Sequence, residues 1–271
     1  MTVILQISDP HVLADGHVLE GRIDTAARFA EALQLVKNSP RTPDLVILSG
    51  DLVNNGSEAE YRNLASILER SGVHALPVMG NHDDRERLRQ FLSTPARSGS
   101  GTEPLQYVVD IPDGRRIIVL DTTEPGLHSG VLDTLRLEWL EDRLNEHPNA
   151  PTIVVQHHPP FASGIGFMDQ YGLDGAIAEA EILNRHPQVC AVLCGHLHRP
   201  AVSTVGGIMT FTAPSCAAQV ALDLVGGGTA YTGEPGMVAW HLWTGQSVVS
   251  HTSPTVDLGS WVPAWALEER T

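Results

Sequence analysis

Residues 3–11 read VILQISDPH, a short apolar run that breaks into Asp9, Pro10 and His11. A run this short and this continuously apolar suits a strand buried on both faces. The same figure recurs along the chain, as LVILSGD at 45–51, ALPVMGNHDD at 75–84, TIVVQHHPP at 152–160 and VCAVLCGHLH at 189–198. The spacing predicts strands over Val3 to Ile7, Leu45 to Leu48, Ala75 to Met79, Ile117 to Leu120, Ile153 to Val155 and Val189 to Leu193. Phe29, Leu33 and Val36 keep helical spacing between the first two runs. Tyr61, Leu64 and Leu68 do so behind a capping box of Ser57 and Glu60. Leu137, Leu140 and Leu144, with Trp139 beside them, mark a third helix, and Ala176 to Leu183 a fourth. Strands separated by helices imply sheets covered by helices in one α/β domain spanning 1–271. The loop Ser98 to Pro104 is not a domain boundary, because regular segments resume on both sides. After about residue 205 the texture turns glycine-rich and then strand-like over Met237 to Trp243 and Ser247 to His251. That tail is expected to finish the second sheet or to form an oligomer contact.

The chemistry sits where polar residues end the apolar runs, the place where α/β folds commonly put their binding loops. Five such breaks occur: Asp9-Pro10-His11, Gly50-Asp51, Gly80-Asn81-His82-Asp83, His157-His158 and Gly195-His196-Leu197-His198. Taken alone, Asp9-Pro10-His11 and Gly50-Asp51 read as turns, Gly80 to Asp83 is a stronger signal compatible with a helix N-cap, and His196 with His198 reads as a surface pair or a site. In an extended segment Asp9 and His11, two apart, would project to one side and grip one ion; His196 and His198 repeat that spacing. Asn81, His82 and Asp83 put an amide, an imidazole and a carboxylate into one loop. Asp9, His11, Asp51, Asn81, His157, His196 and His198 make a donor inventory too large for a single zinc, which takes about four ligands. Two metals fit better, with one carboxylate bridging. Nitrogen and oxygen donors without thiolate suit iron, manganese, cobalt or zinc alike.

Composition narrows the partners. With 17 basic against 32 acidic residues and no basic run, the chain is a poor match for duplex nucleic acid. Cys190, Cys194 and Cys216 form no CxxC pair, which points to a reducing compartment. MTVILQISDPH lacks the basic start of a signal peptide, and no apolar stretch is long enough to span a membrane. A cytoplasmic protein is expected.

ISDPH, GDL, GNHDD, HHPP and GHLH, in that order, resemble the calcineurin-like metallophosphoesterase superfamily. GNHDDRERLRQFL and RRIIVLDTTEPGLHSG are similar to class III cyclic nucleotide phosphodiesterases and to bacterial glycerophosphodiesterases. The resemblance covers roughly residues 3 to 215 and is weaker in the last fifty. It implies a four-layer αββα sandwich of two mixed sheets flanked by helices, with a dinuclear site at the strand C-terminal ends. By position it puts Asp9, His11, Asp51 and His198 on one divalent ion and Asp51, Asn81, His157 and His196 on the other, with Asp51 bridging. His82 then faces the substrate phosphate as the catalytic residue, hydrogen-bonding it or protonating the leaving alkoxide. The implied reaction is in-line attack of metal-activated water on a small phosphodiester, in a protein that forms dimers or larger homo-oligomers. Phosphomonoesterase, nuclease, dinucleotide hydrolase and a metal-poor scaffold are the rival readings. Asp83 or Asp84 would orient an imidazole or charge a helix N-terminus, and His158 would face away from His157 and carry structure only. His17, His74, His147, His186, His241 and His251 are read as structural or surface residues, and His128 as a candidate for the pocket wall.

Overall fold

The computed structural model of the chain describes residues 1–92, 103–226 and 228–259. Strand β1 (Thr2–Ile7) leads through helix α1 (Thr25–Asn38) to β2 (Leu45–Leu48), and α2 (Glu58–Ser71) leads to the two-residue β3 (Leu76–Pro77). After α3 (Arg85–Phe91) come β4 (Tyr107–Asp110), β5 (Arg116–Val119), β6 (Gly130–Val131) and α4 (Thr134–Glu146). Then follow β7 (Thr152–Val155), α5 (Gly166–Asp169), β8 (Leu173–Asp174), α6 (Ala176–Arg185) and β9 (Val189–Cys194). The last elements are β10 (Ala201–Val205), β11 (Ile208–Thr212), β12 (Met237–Thr244) and β13 (Ser247–Pro254).

Two mixed sheets result, one ordered β13-β12-β1-β2-β3 and the other β10-β11-β9-β7-β5-β4, while β6 and β8 pair separately. Side-chain alternation sorts the second sheet's faces. Ile117, Val119, Ile153, Val155, Ala191 and Leu193 pack into the core shared with the first sheet and its helices. Their neighbours Ile118, Val154 and Val192 pack outward with Leu140 and Leu144 of α4 and Ile182 and Leu183 of α6. The first sheet is covered by α1 and α2 through Phe29, Leu33, Tyr61 and Leu64. The result is the expected αββα layering. The Ser57–Glu60 capping box is formed at the start of α2, and Gly72 closes that helix in the left-handed conformation at φ 67°.

Three expectations need correction or fall away. The predicted strand Ala75 to Met79 shrinks to Leu76–Pro77 at the sheet edge, with one further bond from Val78 N to Leu48 O at 2.9 Å; Pro77, which has no N–H to offer, suits the side with no neighbouring strand. The C-terminal tail does not as a whole finish the second sheet: β11 joins β9 there, but β12 pairs antiparallel with β1 in the first sheet. Most of the predicted loop at 98–104 lies outside the described residues.

All five polar breaks follow strands that run parallel to a neighbour, so they emerge at one edge of the double sheet. A buried ion pair braces that edge. Arg85 Nε donates to Asp121 Oδ2 at 2.8 Å, with side chains 6% and 0% exposed. Asp121 also accepts from Leu105 N at 2.7 Å and Thr123 N at 2.9 Å. Removing one partner leaves the other charge buried and unpaired, which costs about 3–5 kcal/mol. Arg85→Ala is therefore expected to lower the unfolding free energy by about that amount in urea titration; a loss under about 1 kcal/mol would show that the pair is not bracing the fold.

Candidate metal centre

The loop conformations differ from the extended geometry expected for Asp9 and His11. Asp9 and His11 have φ of 49° and 43°, Asp51 49°, and His196 and His198 71° and 54°. Among the described residues, Glu20 is the one other non-glycine with positive φ. Left-handed backbone costs a non-glycine residue about 1–3 kcal/mol and gathers at functional sites. The donors do converge, through tight left-handed turns rather than strand alternation. The turns are stitched to one another: Asp9 N donates to Gly50 O at 3.2 Å and His11 N to Asp51 O at 2.9 Å. Glycine is required at the tightest approach, since a Cβ on Gly80 would collide with the backbone nitrogen and carboxylate of Asp51.

Donor atoms of Asp9, His11, Asp51 and His198 lie within 4.8 Å of one another, and so do those of His157, His158 and His196. Three rings are aimed by backbone carbonyls. His157 Nδ1 donates to Ser49 O at 2.9 Å, His198 Nδ1 to Ala218 O at 2.7 Å and His196 Nε2 to Tyr171 O at 3.1 Å. Each ring then turns its other nitrogen toward the cluster, the arrangement that fixes ring direction in metal-binding histidines. His157 Nε2 and the buried Asn81 Oδ1 have no hydrogen-bond partner. Asp51 Oδ2 lies 3.4 Å from His157 Nε2 and 3.5 Å from His11 Nε2, between the two groups. These donors fit two divalent cations: the first group is a nitrogen and oxygen set, the second is a nitrogen set with the unpartnered Asn81 Oδ1 and the Asp51 carboxylate nearby, and a cation would satisfy the unpaired atoms.

The acid–base balance agrees. Burial holds His11 and His196 well below the ordinary imidazole range, so both rings are neutral and present lone pairs. Burial also disfavours a charged His157, but Asp51, with help from Asp9, outweighs it and raises that ring to about 9. Asp51 is held well below the usual carboxylate range, because His157, His82 and His11 overcome its burial.

His158 does not face away as expected. Its ring lies 4.9 Å from His157 and 4.6 Å from His196, but both its nitrogens are taken, by Thr122 Oγ1 at 2.8 Å and His128 O at 3.0 Å. Asp84 caps α3 by accepting from Arg87 N, the helix role expected of it. Asp83 orients no imidazole. It collects Leu52 N, Val53 N, Gly80 N and the Tyr61 hydroxyl, tying the Asp51 loop to the Asn81 loop, while burial and Asp51 push it up to about 7. His82 stands over His11 with ring centroids 4.7 Å apart and fixes its Nδ1 on Asn54 O at 2.6 Å. His128 does line the pocket, a cavity of about 200 Å³ that also holds Phe167, Tyr171, Val220 and Tyr231. Tyr171 and Tyr231 went unnoticed in the sequence because single aromatic residues in loops carry no pattern.

Two clusters of buried His and Asp donors, with Asp51 Oδ2 lying between them where two mixed sheets end together, have the make-up of a dinuclear metallophosphoesterase centre. The calcineurin-like phosphoesterase family matches residues 2–200, and the chain belongs to that family. It is 33% identical to a probable glycerophosphodiester phosphodiesterase of Arcobacter nitrofigilis, over 93% of this chain and 92% of that one. It is 37% identical to a cAMP/cGMP dual specificity phosphodiesterase of Mycobacterium tuberculosis, over 84% of this chain and 71% of the relative. The crystal structure of a dimetal phosphatase from Danio rerio superposes with a TM-score of 0.64 at 15% identity, covering 92% of this chain and 98% of that one, which shows the shared fold.

The raised His157 sets a pH dependence. In metal-free protein its contribution to stability is fully present below about 6.5 and is lost as pH rises through about 9. A cation at Nε2 must displace that proton, so apparent manganese affinity is expected to climb by up to about tenfold per pH unit from neutrality toward 9 and then level off. Titration calorimetry at several pH values checks this; an affinity flat over that range would take His157 out of the ligand set.

Proposed function

We propose that the chain hydrolyses small phosphodiesters, a cyclic nucleotide or a glycerophosphodiester, at a dinuclear divalent metal site. The carrying observation is the set of carbonyl-anchored rings, His157, His196 and His198: His157 Nε2 faces Asp51 and Asp9, His198 Nε2 faces Asp9, and His196 groups with His157. In this reading Asp9, His11, Asp51 and His198 hold one ion, and Asp51, Asn81, His157 and His196 the other. Asp51 suits the bridge because its Oδ2 reaches toward both groups. When bound, such a pair acidifies a water molecule to supply the nucleophile near neutral pH and polarises the phosphoryl oxygens. The ions also explain how an anion enters a chain with net charge −15.

His82 supplies the proton. With Nδ1 donating to Asn54 O, its Nε2 bears a hydrogen in the imidazolium form alone. That form is the one that can donate to a phosphoryl oxygen or to a departing alkoxide, and Nε2 lies 4.0 Å from Asp51 Oδ2, beside the cluster. A diester fits this pocket better than a monoester. No lysine or arginine lines it among the described residues, so the second charge of a monoester dianion finds no side-chain partner. The names of the relatives support the same class. The ions are iron, manganese, cobalt or zinc, the chain acts in the cytoplasm as a homodimer or larger homo-oligomer, and residues 1–271 form one domain. No helix among the described residues is long and apolar enough to cross a membrane, and the three cysteines are unpaired.

Chelation should abolish hydrolysis of bis(p-nitrophenyl) phosphate, and manganese or cobalt should restore it. A panel adding p-nitrophenyl phosphate, cyclic AMP and glycerophosphodiesters should show the diesters ahead; full activity in metal-free protein, or preference for the monoester, contradicts the proposal. His82→Ala should keep both metals yet lose about 10²- to 10⁴-fold in turnover on an alkyl diester. The loss should be smaller on the p-nitrophenyl diester, whose leaving group needs little protonation. Equal losses on both, at equal metal occupancy, would make His82 a phosphate holder and not a proton donor.

A further inference from the structure

The core between the sheets contains polar side chains that neither packing nor the ligand set explains. Gln6, Ser8, Ser49 and His241 are all fully buried, and His241 sits edge-on against Phe211 of the opposite sheet at 5.4 Å. They are linked in series. His241 Nδ1 meets Ser250 Oγ at 2.8 Å, and His241 Nε2 meets Gln6 Oε1 at 2.9 Å. Gln6 Nε2 reaches Ser49 Oγ at 2.8 Å, Ser49 Oγ reaches Ser8 Oγ at 2.7 Å, and Ser8 Oγ reaches Asp9 Oδ2 at 2.5 Å.

The direction of every bond follows from two groups that can only accept. Gln6 Nε2 also contacts Cys194 O at 2.9 Å, and a carbonyl needs a donor, so the amide nitrogen must lie on that side. Gln6 Oε1 therefore accepts from His241, which puts the ring proton on Nε2 and leaves Nδ1 to accept from the Ser250 hydroxyl. At the other end a ligating Asp9 is ionised and accepts from Ser8. Ser8 must then take its own bond from Ser49, and Ser49 from Gln6. All five donors point toward Asp9, and bonds aligned in series strengthen one another.

Asp9 Oδ2 is thus occupied from the protein side. The His196 backbone N–H is shared by both carboxylate oxygens at 3.2 Å, so the Ser8 hydroxyl is what distinguishes them, and Oδ1 is the oxygen that faces the ring nitrogens, 3.6 Å from His198 Nε2 and 4.0 Å from His157 Nε2. We infer that Gln6, Ser49 and His241, acting through Ser8, are positioning residues that hold Asp9 as a one-oxygen ligand and thereby set the affinity of one of the two metal ions. This rests on the dinuclear reading given above. It assigns a role to His241, which is 232 residues from Asp9 in sequence and belongs to a strand that supplies no ligand.

The test is titration of the metal-free full chain with cobalt(II) against a competing chromophoric chelator, together with the visible spectrum of the bound ion. Groups that orient a metal ligand are worth about 10- to 100-fold in affinity. His241→Leu and Gln6→Met should each weaken one cobalt ion by about that factor, leave the other within about twofold, and shift the cobalt absorption bands. His241→Gln, which can still donate toward Gln6 and accept from Ser250, should restore affinity and spectrum. Parental affinities and spectra in His241→Leu, with only a lower melting temperature, would make the chain a structural filler and overturn the inference. A loss in Ser8→Ala without one in Gln6→Met would overturn it too, leaving the last link alone active. Should His241→Leu not fold, Ser8→Ala and Gln6→Met carry the same two outcomes. Uptake of fewer than two cobalt ions by the parent chain would instead remove the dinuclear reading itself.

Discussion

Lone pairs and carboxylates that face one another at a dry sheet edge repel, and that repulsion is the constraint around which this molecule is organised. Asp9 and Asp51 are buried side by side with His11, His157, His196 and His198, and in the metal-free protein the proton on His157 offsets only part of their combined charge. Low local dielectric magnifies the cost of any unpaired polar group. The surrounding structure consists largely of devices that keep these groups from relaxing away. Backbone carbonyls pin three rings, Asp83 ties two loops, the Arg85–Asp121 pair braces a third, and five left-handed residues hold the turns. Divalent cations would take the place of the His157 proton and relieve the repulsion that remains among the carboxylates and lone pairs.

The division of labour between the sheets follows. The first sheet supplies Asp9, His11, Asp51 and Asn81, and the second supplies His157, His196 and His198. Each donor group draws on residues that are far apart in sequence, so the centre exists only when the layers are packed. Packing in turn depends on plain alternation along β5, β7 and β9, whose odd and even residues face different cores. Site geometry and hydrophobic layering are one problem in this fold.

Much of this was legible in the chain. Continuous apolar runs ending in Asp, Asn or His located the strands and the donor loops together, because a buried strand and a metal-binding loop each impose a composition that chance rarely places end to end. The helices around Leu64 and Leu140 followed from their spacing, and the Ser57–Glu60 box formed as read. The rest was hidden for definite reasons. Left-handed φ at Asp9 and His11 is a tertiary outcome, since neither residue type demands it. The apolar run Ala75 to Met79 pairs over Leu76–Pro77 alone because it lies at a sheet edge, and hydrophobicity does not report how far a neighbouring strand reaches. His241 looked like an incidental strand histidine because its partner Gln6 is 235 residues away and pairing across a sheet leaves no local signature.

The placement of β12 against β1 also bears on how the protein comes into being on the ribosome. β1 acquires β2 as a neighbour within the first fifty residues, but its other edge waits for Met237–Thr244. At synthesis rates of about 5–20 residues per second, that edge stays open for roughly ten seconds to most of a minute. During that interval a nearly all-apolar strand exposes an unpaired ladder, the form most prone to pairing with a wrong chain. The loop that follows β1 carries Asp9 and His11, so nascent chains pass through a stage in which metal donors are present without a finished sheet behind them. Yield of correctly assembled protein should therefore respond to translation speed and chaperone supply through residues 1–244 as a unit, with the catalytic loops maturing last.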